Sequence, residues 1–320
     1  MYKPDNNNNK KMDSVQTLFL MHITDGYSFR NAISIIKSET DYATMIVSEK
    51  AIEISFVNDS KCAVHKISLN PQEFAMYRYN IVDPQGNLVK EYPIGFDTNE
   101  MYNTTKGIGR RDGIRLYWLA GDNKINVQPI KMSTKDPGRA GALFVKILNM
   151  EHVRYDIGNY SVDPNVRVQA KDFADLCSQI NSLKCVTLEI IGQQCGVIFN
   201  GIRSNKTIAS TNRFVSQVEI PKNAVHAANI NEIDNLLENL RIESGNNNAP
   251  PKVSLSLNII SKDDLMKVQV PITTVKALSK IHNISPSGTL VRFYFAEGKP
   301  TKLESPIGTY GTYIICLRSV

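Results

Sequence analysis

The chain has 320 residues, 42% apolar and 21% charged, with 37 Lys and Arg against 31 Asp and Glu for a formal net charge of +6. That length exceeds one ordinary core and suits two domains of about 150 residues each, and the composition is globular. No apolar run approaches about 18 residues, which excludes a helical membrane span, and the mild basic excess permits an anionic partner without requiring one.

Residues 1–14 are rich in Asn and Lys without an apolar centre, so they read as a flexible tail rather than a signal peptide. Residues 17–23 read as a strand. Phe29, Ala32, Ile33 and Ile36 then fall at i, i+3, i+4 and i+7, which predicts a helix with one apolar face. Residues 43–47 and 51–56 alternate like a strand pair, with further strands at 62–69 and 74–82. A short helix is expected over 97–106, with Asp97 or Thr98 as N-cap and Gly107 as the stop. Strands at 114–120, 124–130 and 142–148 close a first unit over 15–148.

A polar connector follows at 149–165, containing Tyr155, Ile157, Gly158, Tyr160 and Pro164. The second unit, 166–320, has helices at 171–183 and 273–282. It carries an expected insertion at 203–251. Within it Ile230, Ile233, Leu237 and Leu240 form a helical stripe, read as packing on its own domain, and 245–251 reads as a flexible loop.

The two units echo each other. Phe173, Leu176, Cys177 and Ile180 repeat the spacing of Phe29, Ala32, Ile33 and Ile36, and Phe29 and Phe173 lie 144 residues apart. The same offset pairs residues 52–55 with 196–199. Residues 114–119 echo 291–296, and 142–145 echo 311–314. A helix-then-strands unit repeated in order implies two similar α+β domains, each with two helices on mostly antiparallel sheets.

No catalytic constellation is present: no Ser/His/Asp motif, no HExxH and no P-loop. Gly107–Gly113 resembles a phosphate loop but precedes a strand, so it reads as a turn with basic decoration. The cysteines form no CxxC pair, so no metal or cofactor is expected, and a reducing compartment is the simplest setting. The polar helix faces carry more information. Arg30, Ser34 and Lys37 lie opposite Phe29, Ile33 and Ile36. Lys276, Ser279, Lys280 and Asn283 lie opposite Val275, Leu278 and Ile281. The short helix and its exit add Lys106, Arg110 and Arg111. For a single helix this is an ordinary solvated face. Three of four helices agreeing suggests a shared basic surface suited to phosphate contacts without base readout.

At this point the residues reach a family. Residues 26–37 resemble the first lumen helix of DNA sliding clamps of the proliferating-cell-nuclear-antigen type, with Arg30 and Lys37 at positions usually basic there. Residues 52–64 resemble that family's strand–turn–strand, and 166–177 the start of its second domain. Lys280 matches a lumen lysine. The resemblance covers about 15–320 and implies three subunits closed into a ring around double-stranded DNA. It also implies partners such as DNA polymerase, other replication or repair proteins and a clamp loader. It implies a client pocket built from Val57, Lys61, Val64, Tyr155, Ile157, Pro300 and Leu317, which would take an apolar and aromatic plug. Asp175 and Ser178 depart from the family, where Arg is common, and the chain is basic where cellular clamps are acidic. The style is that of a clamp from a large DNA virus, acting inside the cell in the nucleus or a cytoplasmic viral factory.

The expected function is therefore a non-enzymatic processivity factor whose DNA contacts are Arg30, Lys37, Lys106, Arg110, Arg111, Lys276 and Lys280. The alternative is a clamp-fold scaffold that binds proteins, or DNA, as a monomer or dimer without ring closure. Ring closure needs two different sheet edges, which make a heterologous contact. Residues 142–148 and 195–200 are the expected edges, placing Phe144, Lys146, Val197 and Phe199 at the seam of a homotrimer.

Overall fold

A computed structural model describes residues 16–131, 141–150, 155, 157–158, 160, 163–193, 196–215, 264–296 and 298–318. The first unit runs β1 (Thr17–Ile23), α1 (Gly26–Glu39), β2 (Tyr42–Ser48), β3 (Ile52–Val57), β4 (Ala63–Leu69), β5 (Met76–Tyr79) and β6 (Glu91–Asp97). It continues with α2 (Thr98–Thr105), β7 (Gly113–Leu119), β8 (Lys124–Ile130) and β9 (Leu143–Lys146). The second runs β10 (Val166–Gln169), α3 (Ala170–Ser182), β11 (Thr187–Gln193), β12 (Gly196–Ile202), β13 (Ile208–Val215) and β14 (Asp264–Pro271). Then come α4 (Ile272–Leu278), β15 (Leu290–Tyr294), β16 (Thr301–Ile307) and β17 (Gly311–Leu317). Apart from β5, which the second unit lacks among the described residues, the order of elements recurs, and the echoed segments take equivalent places: β3 with β12, β7 with β15, β9 with β17.

Local chemistry explains the helix starts. Asp25 caps α1 by accepting from the Ser28 amide at 3.0 Å, and Asp97 caps α2 through the Asn99 and Glu100 amides. Phe29, Ile33 and Ile36 are each at most 2% exposed, a burial that stabilises the packed helix by about 1.5–3 kcal/mol per side chain. Residues 273–282 do not form one helix; α4 ends at Leu278 and a 3-10 turn follows at Ile281–Asn283. Three further differences from expectation matter. Glu91–Asp97 is a strand to which the sequence pattern assigned no element. The strand expected at 74–82 shortens to β5 behind a 3-10 turn at Pro71–Glu73. Residues 208–215, placed in the insertion, are a regular strand of the sheet. The Ile230 stripe and the 245–251 loop lie outside the described residues.

Three antiparallel sheets result, in the orders β5-β1-β7-β8-β9, β10-β15-β16-β17-β4-β3-β2-β6 and β13-β12-β11-β14. The eight-stranded sheet crosses from one unit to the other. Its junction is β17 against β4, in register from Gly311↔Leu69 to Leu317↔Ala63. By element order β9 corresponds to β17 and β13 to β4, and both β9 and β13 are sheet edges. The helices form a layer in the order α2, α1, α4, α3, with α1 and α4 meeting across the units.

A buried polar cluster ties that meeting point. Glu39, at the end of α1, accepts from Asn58 Nδ2 at 3.0 Å and from Thr274 Oγ1 of α4 at 3.1 Å. Asn58 Oδ1 in turn accepts from the Cys62 and Ala63 amides. His65 stacks on Phe56 and meets Tyr313 Oη at 2.6 Å across the β4–β17 junction. Burial drives the His65 pKa down to about 3, so the ring is neutral. Its 3.7 Å approach to Glu39 is therefore not an ion pair. Burial raises the Glu39 pKa, against the hydrogen bonds from Asn58 and Thr274.

Candidate nucleic-acid and partner surfaces

The helix layer gathers most of the expected cations. On α1, Arg30 Nη1 donates to Ile108 O at 2.8 Å, and its guanidinium lies 5.0 Å from the Tyr27 ring. Arg110 approaches the same ring at 5.7 Å, so Arg30 and Arg110 flank one aromatic. Lys37 sits over Tyr102 of α2 at 4.6 Å. Lys280 reaches across from the second unit to Ser34 O and Oγ, both at 3.3 Å. Burial lowers the Lys280 pKa, and the nearby Lys37 charge lowers it further. The Glu39 carboxylate opposes both effects. Lys106, Arg111 and Lys276 are exposed around this centre. Tyr27 and Tyr102 join the surface without having been expected. Tyr27 stands three residues before Arg30, the only sequence signal for it.

The loop before β7 is the expected turn. Asp112 Oδ2 accepts from the Gly109 amide at 2.8 Å and pairs with Lys131, which leaves Arg110 and Arg111 outside. No group of three or more His, Cys, Asp or Glu suited to a metal ion occurs among the described residues, and none of their helices is long and apolar enough to cross a membrane.

On the opposite side, beside the connector, a cavity of about 400 Å³ is lined by Val57, Lys61, Cys62, Ala63, Val64, Ile157, Pro300, Cys316 and Arg318. Five of the seven expected pocket residues line it. Tyr155 does not, and Leu317 is corrected: it is 1% exposed and belongs to the core. Strand parity is the reason, because neighbours on β17 point to opposite faces and Cys316 therefore takes the wall. Tyr160 fixes the connector nearby, donating to Pro300 O at 2.7 Å.

The seam expectation is half corrected. Phe144 on β9 is 61% exposed at a sheet edge, under the Lys124 ammonium at 4.9 Å, and Lys146 is exposed beside it. Val197 and Phe199 are fully buried in β12, which β11 and β13 flank on both sides. An interior strand has no free backbone groups to offer. The edges of that sheet among the described residues are β13 and β14, and on β13 Ile208 and Val215 are each 59% exposed.

These features define a two-unit clamp-type α+β fold, with helices forming one layer and sheets the other. No family model and no curated protein matches the sequence. Solved structures do match in fold. The chain is similar to the Proliferating Cellular Nuclear Antigen from Entamoeba histolytica, at a TM-score of 0.64 and 9% identity over 94% of this chain and 98% of that one. It is likewise similar to the PCNA2–PCNA3 complex from Sulfolobus tokodaii, at 0.61 and 14% over 93% and 99%.

Proposed function

We propose that this chain is a DNA sliding clamp, a non-enzymatic processivity factor whose copies join head to tail around duplex DNA and tether a polymerase to it. The carrying observation is the junction inside the chain. β17 and β4 already join one unit to the next, and the equivalent strands β9 and β13 are both sheet edges without a second partner strand among the described residues. Repeating the same junction between chains covers both edges. Because the two edges differ, the assembly must close or grow without end. Three chains close it, as the sequence resemblance implies. The helix layer then presents Arg30, Lys37, Lys276, Lys280 and their neighbours to phosphates, a contact that ignores sequence and permits sliding. The apolar cavity beside the connector is the place for a client plug, with Lys61 and Arg318 at its rim. The scene of action is the nucleus or a cytoplasmic viral factory.

The test is topological. Protein assembled at high concentration on nicked circular DNA and on the same DNA linearised is washed in high salt and passed over a sizing column. Retention on the circle, lost after one cut, is expected. Equal behaviour on circle and line sinks ring closure and leaves the scaffold or one-sided grip.

A further inference from the structure

We propose that the outer face of the β5-β1-β7-β8-β9 sheet, turned away from the helices, is a second nucleic-acid site that binds single strands. These five strands contain no Asp or Glu, yet carry Arg78, Arg115, Lys124 and Lys146. Their alternate residues Phe19, Met21, Leu116, Ile125, Val127 and Val145 are buried in the core, so the cations stand on the opposite face. Cross-strand register sets the side chains in rows. One reads Arg78, Leu20, Tyr117, Asn126, Phe144, and the next Met76, His22, Arg115, Gln128. Four interstrand spacings of about 4.8 Å make the five-residue row roughly 19 Å long.

Three observations suit this face to an anion-bearing ligand. First, none of the four cations has an ion pair among the described residues. Elsewhere strand cations are paired, as in Lys66–Glu53 at 2.8 Å and Arg292–Glu304 at 2.9 Å. The nearest carboxylate contact is peripheral: Glu100 of α2 accepts from the Lys146 amide. Second, Lys124 and Lys146 are direct cross-strand partners, an arrangement that costs stability by itself. Third, Arg115 Nε and Asn126 Nδ2 are buried donors with no acceptor among the described residues, a state that native folds rarely leave uncompensated. Tyr117 between Arg78 and Asn126, with Phe144 at the row's end, adds aromatic faces to the charges. Cations, side-chain amides and rings on an open sheet suit stacked bases with a tracking phosphate backbone. An acidic protein segment would use the charges but not the rings. The site shares β9 with the edge proposed for ring closure, while β5, β1, β7 and β8 lie away from that edge.

The experiment measures fluorescence anisotropy of a labelled oligothymidylate of about 16 nucleotides, in parallel with a duplex and an oligoglutamate peptide. Proteins are the wild type, Arg78→Glu, Tyr117→Leu and the helix-layer double variant Lys276→Ala with Lys280→Ala. Arg78→Glu is expected to weaken oligothymidylate binding at least tenfold and Tyr117→Leu about fivefold or more, with duplex binding little changed. The helix-layer variant is expected to do the reverse. Should Tyr117→Leu fail to fold, the exposed Arg78→Glu decides alone. The proposal is overturned if oligothymidylate does not bind at low salt, or if its loss follows the helix-layer variant. It is also overturned if oligoglutamate competes equally while Tyr117→Leu is neutral. Duplex binding read in the same series keeps this outcome separate from that of the clamp reading.

Discussion

Phe29, Ala32, Ile33 and Ile36 of α1 and Phe173, Leu176, Cys177 and Ile180 of α3 hold the same spacing, and all are buried. Their outer faces have parted. α1 offers Arg30 and Lys37, one beside Tyr27 and the other over Tyr102. α3 exposes Asp172, Asp175, Ser178 and Gln179, with Lys171 as its one cation. The ends differ as well. α1 ends in the buried Glu39 cluster, whereas α3 ends at exposed Ser182, whose hydroxyl donates to Gln179 O. Packing thus preserves one face of a duplicated helix and leaves the other open to change. On the proposed reading, the grip on DNA is lopsided: it comes from α1, the exit of α2, and α4.

The comparison breaks most readily at the shared stripe. Phe29→Ala and Phe173→Ala should each cost about 3–5 kcal/mol in denaturant unfolding. Phe173, which meets Phe199 and Phe293, is expected at the upper end. A cost below about 1 kcal/mol at either site means that stripe is not equivalent core.

The outer faces give the next effect. Reversing Lys37, Lys276 and Lys280 to Glu should lower duplex affinity a hundredfold or more near physiological salt and flatten its salt dependence. Adding Asp175→Lys with Ser178→Arg on α3 should raise affinity several-fold. If the α3 pair matters as much as the triple reversal, the grip is symmetric after all.

The buried Glu39–His65 cluster adds a pH-dependent effect. Unfolded His65 takes up a proton below about pH 6.5, while the folded ring resists until about 3. Unfolding therefore binds a proton, and stability is lost as pH falls from 6.5 toward 3. The loss is confined to that window and absent above it. Glu39, whose pKa is raised, acts oppositely at the acid end, since its protonated form is favoured in the fold. Stability curves for the wild type and His65→Phe should converge as the pH falls from 6.5; parallel curves would exclude His65 as the source.

Periodicity made the α1 and α3 stripes, the β2–β3 pair and the repeat itself legible, because burial on one face forces a 3.6- or 2-residue rhythm. Pro93 and Gly95 interrupt the alternation of Glu91–Asp97 and hid β6. β13 was hidden because an edge strand exposed at Ile208 and Val215 has little burial to encode. With β13 read as insertion, β12 looked outermost, and Val197 and Phe199 were misplaced at the seam. The cations of the helix layer could be chosen from their faces. The approach of Lys280 to Ser34 and Lys37 could not, since it depends on how α4 crosses α1.

The β17–β4 ladder has a mechanical consequence for the proposed assembly. It matches seven residue pairs over a buried Tyr313, Ile315 and Leu317, and the polypeptide itself keeps its halves from drifting apart. The β9 side of the intermolecular counterpart has a strand of only four residues, with Phe144 in solvent. On the proposed reading, a gasket threaded onto endless DNA needs one latch weaker than its welds, and that latch would lie between subunits, where opening leaves both folded units whole.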